Sequence, residues 1–322
     1  MALLDVDHLS VALPSATGPL LPVDGISFTL EGGEVTCIVG ESGCGKSTTA
    51  LALIRLLGDR AKMSGRVQFD GRDLLGLTEA QMCGIRGNRI SMVFQEPMTA
   101  LNPVKTIGAQ VMGPLRIHTQ LSMDEAREEV VSLLSRVGID EPARRLAAYP
   151  HQLSGGQRQR VVIAMALACK PDIIIADEPT TALDTTVQRQ ILDLLLRLVD
   201  ETSVALLLIT HNLAIVSEVA DKVLVMYGGK IIESGSAEQV FSNPLHPYTQ
   251  GLMRALPRID MPPGERIVSI PGTVPSLSSL PAGCSFYGRC NMAVDACRDV
   301  RPAARVLADR RTVACIQVEE TV

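Results

Sequence analysis

The chain has 322 residues, of which 46% are hydrophobic, with no Trp and a formal net charge of −5. That length accommodates two domains with a sizeable core, and the mild acidity argues against nucleic-acid binding, which calls for a basic face. The start, MALLDVDHLS, does not suggest a signal peptide, and the longest apolar run, VVIAMALAC, falls far short of a membrane span; the expectation is a soluble, cytosolic protein that reaches a membrane only through a partner.

Residues 3 to about 35 carry short strand-like runs, LLDVDHLSVAL and GISFTL, separated by Gly and Pro. From EVTCIVG onward, apolar strands alternate with helical stretches, the pattern of a parallel sheet covered by helices. VTCIVG, ISMVF, DIIIAD and VALLLIT are the clearest core strands. Between residues 96 and 153 the pattern turns helical, as in SMDEAREEVVSLLSRVG, with Glu and Arg on one face and Val and Leu on the other. After NPLHPYTQGLMRALP the chain becomes rich in Pro, Gly and Ser, a shift that marks a boundary near residue 257. No internal repeat is present.

Between the strand VTCIVG and the helical TALALIRLL stands GESGCGKST, which fits G-x-x-x-x-G-K-[ST] with Gly40, Gly45, Lys46 and Ser47. Glycines there let backbone N–H groups curl around phosphate oxygens, Lys46 reaches the outer phosphates and Ser47 ligates Mg²⁺. The expected nucleotide cradle is the whole loop: Gly40, Glu41, Ser42, Gly43, Cys44, Gly45, Lys46, Ser47 and Thr48. Further on, DIIIADEP ends an apolar strand in Asp177 and Glu178. In open α/β sheets, ligands bind beyond the carboxyl ends of the strands. Asp177 is therefore expected to hold Mg²⁺, and Glu178 to polarise a water for in-line attack on the γ-phosphate.

QLSGGQRQR places Ser154, Gly155 and Gly156 ahead of the apolar helix VVIAMALAC. A serine opening a helix is ordinarily an N-cap. Two glycines beside it let a partner approach the backbone, and a helix N-terminus favours an anion.

With these motifs in hand, the chain resembles the ATP-binding cassette (ABC) ATPases. LSGGQ, ending at Gln157, is similar to the signature of that family, and by average residue frequencies it arises by chance in only about a few chains per ten thousand. Gln95 in VFQEP fits the family's Q-loop, TALD ending at Asp184 its D-loop, and His211 in LLITHN its switch histidine, all in the family's order. The resemblance implies that Gln95 and His211 take part in catalysis with Glu178, that Gln95 joins Ser47 and Asp177 around Mg²⁺, and that Asp184 lies at the nucleotide. It also implies that two such domains meet head to tail. Ser154, Gly155, Gly156 and Gln157 of one would then bind the γ-phosphate of ATP held by the other.

The implied fold is α/β: an ABC-type P-loop nucleotide-binding domain over residues 1–256, with a parallel core sheet, an antiparallel β subdomain and a helical subdomain at about 96–155. A small Cys-rich C-terminal domain is expected over 257–322. Within the family, the chain looks most like ATPase subunits of bacterial dipeptide and oligopeptide importers. VFQEPMTALNP, YPHQLSGGQRQRVVIAMALACKPDIIIADEPTTALD, NPLHPYTQGLMRALP, and IPG leading to GCSFYGRC carry that likeness. It implies a second, related ATPase subunit, two membrane permease subunits, a substrate-binding protein that feeds them, and a peripheral position on the cytoplasmic face of the inner membrane. Similar subunits serve opines, glutathione, nickel complexes and cationic peptides. A non-transport ABC ATPase is the competing reading, although such proteins usually carry two cassettes or a long coiled coil. One departure stands out: no aromatic residue occurs between Met1 and Phe28 to stack on adenine. Since such stacking contributes about 1–3 kcal/mol per base, a modest nucleotide affinity is expected.

Of the eight cysteines, Cys37, Cys44, Cys83 and Cys169 are scattered and expected to be small buried thiols. Cys284, Cys290, Cys297 and Cys315 crowd into the C-terminal part. In a cytosolic protein such a cluster points to metal before disulfide. The wide spacing lacks the short hairpins of structural zinc. Four thiolates can hold a [4Fe–4S] cluster, and related peptide-importer ATPases resemble this chain in carrying such a set. Zinc and unligated thiols are the alternatives. A third reading makes this segment a redox-sensing module that rides on an ATPase.

Overall fold

The computed structural model describes residues 2–16, 18–181, 183–256 and 269–318, the side chains of residues 97 and 98 excepted. The described chain falls into two compact units. One takes the residues up to Leu30, Val35–Leu75 and those from Ile209 on; the other takes Glu31–Glu34 and Gly76–Leu208.

In the first unit, Leu20–Leu30, Leu4–Leu13, Lys62–Phe69 and Arg72–Asp73 form an antiparallel sheet in that order. Along Leu4–Leu13 the inward residues change phase, from Leu4 and Val6 to Leu9 and Val11. The cause is a bulge at His8, whose φ of 49° marks the extra residue and whose register slips against both neighbouring strands. The same unit holds the strands Arg305–Val306, Thr312–Val313, Lys230–Ser236, Lys222–Tyr227 and Val35–Val39, adjacent in that order. Cys37 pairs with Val223 in the parallel sense. Every residue of Val35–Val39 is buried, as a strand covered on both faces requires. The C-terminal strands join through Glu233 opposite Val313, with Leu307, Val313 and Cys315 packed under them.

The second unit places the strand Ala205–Ile209, as far as Leu208, beside Ile173–Asp177 and that beside Ile90–Val93, the first two wholly buried. Ile90 and Ile173 pair in parallel register. Its helices include Ile107–His118, Met123–Arg136, Gly155–Leu167 and Thr185–Thr202. Met123–Arg136 opens on a reciprocal cap between Ser122 and Glu125 and buries Ala126, Val130, Leu133 and Leu134. The four expected core strands, the two N-terminal runs and this amphipathic helix all form where the pattern predicts them.

Cys37 and Cys44 are buried and Cys169 only half-buried, while Cys83 is exposed at the end of the short helix Glu79–Cys83, so the buried-thiol reading holds in part for Cys169 and fails at Cys83. That helix buries Met82 instead and turns its neighbour outward. The boundary expected near residue 257 lies outside the described residues, as 257–268 are not among them.

Candidate nucleotide site

In the first unit, the loop after Val35–Val39 turns through Gly40, Gly43 and Gly45 at φ of 153°, 79° and 110°. The two framing glycines are required sterically as well. A Cβ on Gly40 would stand 2.2 Å from the Met226 carbonyl oxygen, and one on Gly45 would stand 1.9 Å from that of Pro22. Gly45 then caps the helix Lys46–Leu53 in the left-handed conformation, and Thr49 Oγ1 donates back to its carbonyl at 3.0 Å. Lys46 is buried, and its Nζ donates to the carbonyls of Gly40 (2.8 Å) and Glu41 (3.1 Å). Ser42, Gly43 and Ser47 are exposed and Thr48 half-buried, while Cys44 is buried with its thiol pushed up by desolvation. His211 is exposed just after Ala205–Ile209, where Asn212 caps the helix Leu213–Val219.

The sequence gives no hint of two further residues at this loop. The Tyr248 hydroxyl accepts the Glu41 N–H at 2.9 Å, and Arg289 forms a two-pronged ion pair with the Glu41 carboxylate. Both come from the far C-terminal part of the chain, 207 and 248 positions away. No spacing or motif connects them to the loop.

In the second unit, Asp177 ends the buried strand Ile173–Asp177 and is itself buried. Glu178 follows at a φ of 46°. A non-glycine residue held in that region costs of order 1–3 kcal/mol and persists where the surroundings fix it, commonly at functional sites. The Glu178 carboxylate is fixed from two sides: Oε2 accepts from Gln95 Nε2 at 3.2 Å and from Thr181 Oγ1 at 2.9 Å. The structure thus brings together Gln95 and Glu178, which the sequence separates by 83 positions.

The segment around Ser154 forms its expected cap. Ser154 Oγ accepts the Gln157 N–H at 3.3 Å, and Gln157 Oε1 accepts the Ser154 N–H at 3.1 Å. Ser154 and Gly155 are exposed, and neither Gly155 nor Gly156 has positive φ. Gly156 has a packing reason to be glycine, because a Cβ would stand 2.6 Å from Val187 Cγ1. Asp184 serves the same corner: its Oδ1 accepts the Val187 N–H at 3.0 Å, capping Thr185–Thr202.

Cys284, Cys290, Cys297 and Cys315 line one small cavity together with His246, Phe286 and Met292. All four are free thiols, and burial pushes those of Cys284, Cys290 and Cys315 up. The donor set is the soft one that an iron–sulfur group takes. As the side chains stand, however, no group of three or more His, Cys, Asp or Glu among the described residues has the arrangement of a metal site.

Residues 23–181 match the family described as ABC transporter, and residues 232–297 that described as oligopeptide/dipeptide transporter, C-terminal region. The dipeptide transport ATP-binding protein DppD of Escherichia coli (strain K12) is 48% identical over 98% of this chain and 96% of its own. Its counterpart in Bacillus subtilis (strain 168) is 49% identical over 97% and 93%. A putative peptide import ATP-binding protein of Brucella ovis is 46% identical over 99% and 98%. Among solved structures, the ATP-binding cassette MJ0796, a dimer in a post-hydrolysis state with ADP and Pi, matches at TM-score 0.66 and 28% identity, over 73% of this chain and 98% of its own.

Proposed function

The chain belongs to the ABC transporter ATPases and hydrolyses ATP to power peptide import, and we propose how its residues divide that work. The observation that carries the proposal is the phosphate loop: glycines pressed against backbone, and a desolvated lysine turned onto the carbonyls of Gly40 and Glu41. Such a cation bonds more strongly to charged phosphate oxygens than to neutral carbonyls.

The loop Gly40–Thr48 binds the phosphates of ATP, with Lys46 on the outer ones. Mg²⁺, when bound, neutralises charge that develops on the transferred phosphoryl group, and Ser47, Gln95 and Asp177 are the residues that would hold it. Glu178 orients the attacking water, its carboxylate aimed by Gln95 and Thr181. His211 contacts the γ-phosphate. Ser154, Gly155, Gly156 and Gln157 serve ATP held by a second ATPase subunit, a related but distinct chain, with Asp184 at the same junction. Two permease subunits receive the stroke, and a substrate-binding protein feeds them. The chain sits at the cytoplasmic face of the membrane, and no helix among its described residues is long and apolar enough to cross it. The nucleotide-binding domain occupies residues 1–256 and the Cys-rich segment 257–322.

The four thiols around one cavity support a [4Fe–4S] cluster in that segment. Hydrolysis is not routed through it. Anaerobic purification that yields a brown protein with about four irons per chain supports the cluster. A colourless protein with one zinc or no metal removes it.

The functional test is ATP turnover by the purified chain alone and with its partner ATPase and permeases. Low activity alone that rises on assembly is expected. Full activity in the isolated chain, indifferent to partners and peptide, contradicts the proposal.

A further inference from the structure

Glu41 is the first residue inside the phosphate loop after Gly40, and its side chain is engaged by the C-terminal part of the same unit. There it meets Arg289, whose side chain is only 7% exposed. The contact is bidentate: Nη1 to Oε2 at 2.6 Å and Nη2 to Oε1 at 3.0 Å. Nothing about the guanidinium is loose. Its Nε donates to the Pro271 carbonyl at 2.9 Å, and its carbon lies 5.9 Å from the Tyr227 ring centroid and 6.0 Å from that of Phe286. Tyr227, Tyr248 and Phe286 pack on one another with centroids 4.7–5.4 Å apart, and the Tyr248 hydroxyl accepts the Glu41 N–H.

We propose that Arg289 is a positioning residue for ATP: with Tyr248 it clamps Glu41 and so holds the first turn of the phosphate loop in its binding shape. The physical case is pre-organisation. The carbonyls of Gly40 and Glu41 are the atoms Lys46 rests on. A loop whose first peptide is pinned at its N–H and at its carboxylate loses little freedom when phosphate arrives. A surface ion pair would add almost nothing, but a bidentate pair with one partner this buried is costly to break, because it strands a charge. The clamp also gives the Cys-rich segment a task, since Phe286 and Arg289 lie on the stretch between Cys284 and Cys290.

This inference rests on the loop being the ATP site, so Lys46→Ala is the control. The measurement is the ATP dissociation constant of the full chain, with KM and kcat of the assembled transporter, for Arg289→Met, Arg289→Lys, Glu41→Gln and the Arg289→Met/Glu41→Gln pair. Arg289→Met and Glu41→Gln are each expected to weaken ATP binding about five- to thirtyfold, and the pair to be no worse than the weaker single variant. For Arg289→Met, kcat at saturating ATP stays within about twofold. Arg289→Lys, which keeps the charge and loses the fork, falls between, and serves if Arg289→Met fails to fold. A merely structural Arg289 would lower stability without moving KM and without coupling to Glu41. Unchanged ATP binding in both single variants, or additive losses in the pair, overturns the clamp. Unchanged binding in Lys46→Ala overturns the ATP-site reading instead.

Discussion

Gly156 and Val187 are packed so closely that a Cβ on the glycine would lie 2.6 Å from Val187 Cγ1. The second glycine of the Ser-Gly-Gly turn therefore answers to the neighbouring helix Thr185–Thr202, which Asp184 caps, as well as to any anion at the helix N-terminus.

This separates two reasons for the glycine. Gly156→Ala is expected to lower the melting temperature and ATP turnover together, because the stiff β-branched Val187 cannot swing aside, and adding Val187→Ala, which removes the clashing methyl, should restore most of the stability. If the backbone must also stay open to the partner's ATP, turnover remains low in the double variant. Turnover that returns along with the melting temperature would assign Gly156 to packing alone.

Gly45→Ala should be far more damaging than Gly43→Ala. Both sites have positive φ, which alone costs an L-residue about 1–2 kcal/mol. A Cβ at Gly45 also runs into the Pro22 carbonyl at 1.9 Å, whereas at Gly43 it meets nothing within 4 Å. Thermal unfolding and nucleotide binding of the two variants check this: both quantities collapse for Gly45→Ala, and Gly43→Ala shows a modest loss.

Burial pushes the pKa of His246 down from 6.5 to about 4, while its Nδ1 accepts the Tyr248 N–H. The unfolded chain takes up that proton near pH 6.5 and the folded chain only near pH 4. The neutral ring's contribution is thus complete above the upper value and is lost as pH falls toward the lower, by roughly 3 kcal/mol at most. Glu233, whose carboxyl burial pushes up, has the opposite sign: its contribution is present at low pH and lost as pH rises through its folded value. His246→Asn keeps a helix cap and removes the titration. Melting curves against pH should therefore be flatter for the variant between pH 6.5 and 4. Identical pH profiles contradict a neutral, buried His246.

Most of the fold and much of the site are legible in the sequence because both obey local rules. Val35–Val39 and Ile173–Asp177 read as strands because parallel strands covered on both faces are apolar throughout. Gly40, Gly45 and Lys46 read as a phosphate loop because the backbone needs glycine there and the anion needs a cation. Long-range partners were not legible. Nothing near Glu41 points to Arg289 or Tyr248, since that contact is made by the fold alone; Gln95 is put in one site with Glu178 by the family resemblance, but its role as donor to the carboxylate comes from the fold. Likewise, no motif around Cys83 shows that the short helix Glu79–Cys83 buries Met82 and leaves the cysteine exposed.

In the proposed division of work, Glu178, held by Gln95 and Thr181, is the carboxylate that orients water. The most direct test of that role is ATP turnover by the assembled transporter carrying Glu178→Gln in this chain. That change keeps the shape and the donors around it, and leaves Lys46, Ser47 and Asp177 in place for phosphate and Mg²⁺. ATP should still bind and hold the two ATPase subunits closed, while turnover at this site falls by at least about 10²-fold. Turnover near that of the unaltered transporter contradicts the account.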